Sequence, residues 1–79
     1  MTNTQNLIAL RVNTGVANNL IHDLFESTRL KIENGIQFLP GEQLPCVQQI
    51  RQRLTEALAN VTRLENELDK LATYQSKHD

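Results

Sequence analysis

Eight apolar residues in the second half of the chain, Val47, Ile50, Leu54, Ala57, Val61, Leu64, Leu68 and Leu71, recur at alternating spacings of three and four. That period places them on one stripe of a helix, with Leu58 at its edge, and a stripe of this length must be covered by another helix. A chain committed to pairing helices is all-α, and such a seam does not form the enclosed concave site that an enzyme needs.

At 79 residues the chain is one domain. A core of that size supplies no more than roughly 3 to 5 kcal/mol unaided, so small domains turn to disulfides, metals or self-association. The lone Cys46 cannot close an internal disulfide and no Cys/His cluster has ligand spacing, which leaves oligomerisation. Three aromatic residues, Phe25, Phe38 and Tyr74, and no Trp indicate an aliphatic core suited to helix-on-helix packing.

Punctuation in the middle divides the chain. Asn34-Gly35 reads as a helix C-terminus, with Gly35 free to adopt the left-handed conformation and Ile36 covering the last turn. Pro40-Gly41 is a turn signal, and Pro45 suits the first turn of a second helix. The expected elements are a first helix over about residues 4–34, a connection over about 35–44 and a second helix over about 45–75, with 76–79 frayed. Ile36, Phe38, Leu39 and Leu44 make the connection apolar, so it is expected to fold over the bundle end. Thr2 or Thr4 can cap the first helix, and Gly15 marks the place where it would kink or break.

An antiparallel two-helix hairpin then pairs positions whose numbers total about 79, setting Ile32 against Val47, Phe25 against Leu54, Ile21 against Leu58 and Leu10 against Leu68. Thr14 and Thr28 fall in these layers, where their hydroxyls can bond carbonyls of their own helix. The apolar face of helix 1 is wider than this seam can hide, and a second chain is the natural cover. A dimeric four-helix bundle is expected. Self-pairing of helix 2 in the antiparallel sense, about a total near 118, would bring Arg51 and Arg53 opposite Glu65 and Glu67, where parallel pairing would stack like charges.

Little chemistry is written in the side chains. His22 and Asp23 are neighbours about 100° apart on a helix with no nucleophile tied to them. His78 lies at the extreme C-terminus, Cys46 reads as a small residue near the start of helix 2, and Glu56, Glu65, Glu67 and Asp69 scatter around a solvated helix. No catalytic, cofactor or metal-binding residue is expected. Net charge is −1, with basic residues spread from Arg11 to Lys77, and no apolar run is long enough to span a bilayer. With no targeting segment in evidence, a cytoplasmic setting is expected.

The functional expectation is a non-enzymatic protein interaction module of the adaptor, anti-activator or chaperone-like kind. It would self-associate through Val47, Ile50, Leu54, Ala57, Leu58, Val61, Leu64, Leu68 and Leu71. A partner protein would be held or inhibited through Leu7, Ile8, Leu10, Val12, Val16, Leu20, Leu24 and Phe25. The alternative is a small dimeric nucleic-acid-binding regulator using Arg11, Arg29, Lys31, Arg51, Arg53 and Arg63.

Overall fold

The first helix starts on a reciprocal cap. In the computed structural model, which describes residues 2–36 and 40–78 and the side chains of all of these except 77 and 78, the Thr2 hydroxyl accepts from the Gln5 N–H at 3.1 Å and Gln5 Oε1 accepts from the Thr2 N–H at 2.9 Å. Two N–H groups that the first turn would leave unpartnered are thereby satisfied. Helix α1 then runs unbroken over Asn3–Glu33. Gly15 does not break it, because the intrahelical bonds on both sides outweigh the roughly 1 kcal/mol that glycine costs in a helix interior. Thr14 donates to the Leu10 carbonyl at 2.8 Å, but the residue is exposed rather than set within the packed layers.

α1 stops where a left-handed residue is available. Gly35 has φ +66°, its N–H donates to the Ile32 carbonyl at 3.2 Å, and the Ile36 N–H donates to the Lys31 carbonyl at 2.8 Å. This pair of bonds is the Schellman arrangement. Helix α2 spans Pro40–His78, beginning earlier and ending later than the expected 45–75. Pro40 is its first residue, where a missing N–H costs nothing, so the proline that reads as a turn signal is instead a helix start. Pro45 lies inside α2 rather than in its first turn, and Cys46 lies beyond that turn too. The connection is therefore shorter than residues 35–44. Ile36 and Leu44 remain about half exposed rather than folded over the bundle end, and Phe38 and Leu39 lie outside the described residues. Residues 76–78 continue the helix rather than fray.

The two helices pack against each other as an antiparallel hairpin, with no strand among the described residues. Its register differs from the expected one. Asn6 bonds Asn60, Arg53 bonds Asn13 and Cys46 bonds the Leu20 carbonyl, pairs that total 66, while Asn13 bonds Asn60 and Lys31 bonds Glu42 in pairs that total 73. Layers therefore centre near 70, not 79; the start of α2 at Pro40 rather than residue 45 accounts for about half of that shift.

The packed stripe of α1 is Asn6, Leu10, Asn13, Ala17, Leu20 and Leu24, and that of α2 is Cys46, Ile50, Arg53, Ala57, Asn60 and Leu64, each at heptad spacing and each buried or half-buried. Among the described residues only Ala17 (2% exposed) and Ala57 (5%) are buried apolar residues. Small side chains here let the helices approach closely, as the 65 × 19 × 16 Å extents reflect.

Candidate functional site

The apolar seam read from α2 is two overlapping stripes. Ile50, Ala57 and Leu64 turn toward α1. Val47, Leu54, Leu58, Val61, Leu68 and Leu71 are between 41% and 65% exposed. On α1 the same division occurs. Leu10, Val16, Leu20 and Leu24 are half-buried, whereas Leu7, Ile8, Val12 and Phe25 are more than half exposed. The proposed partner residues therefore do not form one surface.

Two exposed patches result. Leu10 lines a shallow groove together with Val61, Leu64 and Leu68, so α1 and α2 share one broad apolar face. At 100° per residue, Leu7, Ile21, Phe25 and Ile32 lie on the Leu10 side of α1 and extend that face toward the turn. A second groove on it is lined by Val47, Ile50, Arg51, Leu54, Thr55 and Leu58. Ile8 and Val12, one helical turn apart, point at least 80° away from Leu7 and form a smaller patch on another side of α1.

Between the helices runs a buried polar chain that hydropathy patterning missed. Arg53 Nη1 donates to Asn13 Oδ1 at 3.2 Å, Asn13 Nδ2 donates to Asn60 Oδ1 at 3.1 Å, and Asn60 Nδ2 donates to Asn6 Oδ1 at 3.4 Å. Asn6, Asn13 and Asn60 are 1%, 7% and 3% exposed. No buried side-chain polar atom among the described residues lacks a partner. The sequence signal was present: asparagines at alternating three- and four-residue spacing from Leu10, Ala17, Ala57 and Leu64 are the polar core positions that fix register in helix pairs.

The titratable groups do not converge. His22 and Asp23 are exposed, the side chain of His78 lies outside the described residues, and the half-buried Cys46 thiol donates to the Leu20 carbonyl at 3.8 Å. Among the described residues no three His, Cys, Asp or Glu side chains are grouped to hold a metal, and no helix is long and apolar enough to cross a membrane. Several basic side chains are engaged within the chain. Arg29 pairs with Glu26 and Glu33, both at 2.8 Å, and Lys31 pairs with Glu42 at 2.9 Å across the turn. The hydrogen bond and charge of Arg29 hold the Glu26 carboxyl below its ordinary value, and the same contacts raise Arg29.

Comparison with protein-family models, with curated proteins and with solved structures returned no match.

Proposed function

We infer that this chain is a non-enzymatic protein interaction module that self-associates and holds or inhibits a partner protein through exposed apolar helix surface, in the manner of an adaptor, anti-activator or chaperone-like regulator. One observation carries the reading: two separate apolar patches, a broad one shared by α1 and α2 and a smaller one at Ile8 and Val12. Two patches facing different ways support two occupants. The broad face suits self-association, and Ile8 with Val12 is left for a protein partner. A cytoplasmic setting belongs to this reading and is supported by the single free cysteine.

A nucleic-acid-binding regulator is the alternative reading. The pairing of Arg29 and Lys31 with carboxylates of the same chain weighs against it, as does the net charge of −1.

The test replaces Ile8 by Glu and Val12 by Lys, which removes the patch, keeps the net charge and preserves helicity through an i, i+4 pair. Wild type and variant are compared by mass in solution and by affinity capture from the native host at low and moderate salt. The expected result is an unchanged oligomer that no longer retains the protein held by the wild type. Retention by both would remove Ile8 and Val12 from the site, and capture of nucleic acid that vanishes as salt rises would favour the alternative.

A further inference from the structure

We propose that the occupant of the broad apolar face is a second copy of this chain, docked with its turn at the opposite end and with a two-fold axis passing between the two α2 helices at the level of Leu58. The proposal rests on the self-association reading and extends it to a stated partner, direction and register.

The first argument is area. A folded chain of 9.0 kDa exposes about 4,900 Å² by the usual size scaling, whereas this hairpin exposes 6354 Å². The excess, on the order of 1,500 Å², is larger than the roughly 800 Å² that each partner contributes to a standard interface. A radius of gyration of 18.8 Å, against about 12 Å for a compact chain of this length, has the same origin. Each copy offers the other a face of matching size and apolarity.

The second argument is the length of α2. Because Asn60 bonds both Asn6 and Asn13, the start of α1 lies level with about residue 67 of α2, so roughly eleven residues of α2 project about 17 Å beyond α1. Leu71 and Tyr74 on that projection are 53% and 63% exposed and lie beyond the start of α1, while Leu68, 58% exposed, shares a groove with Leu10 of α1. At the other end of the hairpin, Ile21, Phe25 and Leu44 are 46% to 63% exposed. With the turns at opposite ends, the projection of each copy lies across Ile21, Phe25 and Leu44 of the other, and those three residues and Leu68 are covered. With the turns at the same end, both projections leave the bundle together and stay wet.

The third argument is charge. Outward-facing positions on α2 are Val47, Arg51, Leu54, Leu58, Val61, Glu65 and Leu68, spaced alternately four and three. Reversed about Leu58, positions totalling 116 come level, so Val47 falls within one residue of Leu68, Leu54 within one residue of Val61 and Leu58 meets itself. Its two charged members, Arg51 and Glu65, then face each other, with Asp69 one turn further on. Neither Arg51 nor Glu65 has an ion-pair partner within its own chain among the described residues. Parallel pairing would oppose Arg51 to Arg51 and Glu65 to Glu65. The midpoint of Pro40–His78 is Ala59, one residue from the axis, so the two α2 helices overlap along almost their whole length. The register about a total near 118 that the sequence suggests uses Ile50, Ala57 and Leu64, which α1 occupies here, and their removal shifts the centre by one residue.

Leu58→Cys in a Cys46→Ser background tests the arrangement, with Gln52→Cys as the control on another face. Sedimentation equilibrium gives the mass, and oxidation under native conditions gives the cross-link. The expected result is a dimer in which Leu58→Cys closes a disulfide between copies and Gln52→Cys does not. A dimer that fails to cross-link at Leu58 overturns the axis while leaving self-association standing, and a monomeric, well-folded wild type overturns both. Charge exchange supplies an independent readout: Arg51→Glu raises the dimer dissociation constant by up to about tenfold, and adding Glu65→Arg restores it. An Arg51→Glu dimer as tight as wild type overturns the register.

Discussion

Asn60 is the residue through which the interhelical polar chain can be broken most cleanly. It accepts from Asn13 at 3.1 Å and donates to Asn6 at 3.4 Å, and it is 3% exposed. Asn60→Ala removes both bonds and leaves Asn13 Nδ2 and Asn6 Oδ1 buried without partners. An orphaned buried polar group costs about 1 to 3 kcal/mol, and the longer Asn6 bond belongs at the low end, so the expected loss is roughly 2 to 4 kcal/mol. For a chain whose total stability is of order 5 kcal/mol, that is close to unfolding. Denaturant melts followed by far-UV circular dichroism, with wild type and variant at the same protein concentration, give the number. Replacing Asn6, Asn13 and Asn60 together by Leu leaves no amide orphaned; that triple variant is expected to be no less stable than wild type, since Arg53 can turn to water and Glu56. An Asn60→Ala loss below about 0.5 kcal/mol would refute the view that this chain is sealed from solvent.

Three further substitutions probe the scaffold. Gly15→Ala meets no atom within 4 Å and should stabilise by about 0.5 to 1 kcal/mol, whereas Gly35→Ala, at φ +66°, should destabilise by about 1 kcal/mol; the two melts must move in opposite directions. Thr2→Ala deletes the cap of α1 and should cost about 0.5 to 2 kcal/mol, visible as faster amide exchange in the first turn. Ala17→Leu inserts bulk where the residue is 2% exposed and should cost about 1 to 3 kcal/mol or more in the same melts, while Ala59→Leu, which is only half-buried, should cost less.

The hairpin was legible from local signals because each acts through a few bonds. Thr2 and Gly35 perform the capping roles their types and positions imply. Register was not legible, for two physical reasons. Pro40 suits both a turn and the first position of a helix, and the latter starts α2 five residues before Pro45, which supplies about half of the change in pairing. Periodicity counts only apolar residues and so runs two stripes together, whereas the helices meet along one that includes Asn6, Asn13, Arg53 and Asn60. Buried in a closed set of hydrogen bonds, those polar groups compete with leucine for the interface, and hydropathy does not register the difference. The partner surface suffered likewise: Leu10, Leu20 and Leu24 face α2, leaving Ile8 and Val12 apart from Leu7 and Phe25.

The asparagine pairing also restricts how the two helices can slide. Slipping α2 by one heptad so that Asn60 reaches Asn6 alone would bring Arg53 alongside Asn6 or Asn13 only at the expense of stranding an amide; slipping the other way would press Glu67 against Asn6. Leucine layers would accept either shift with little penalty, since one aliphatic group replaces another. In this molecule a handful of amides therefore rejects misaligned folds that greasy contacts alone would tolerate, so alignment and cohesion are supplied by different residues.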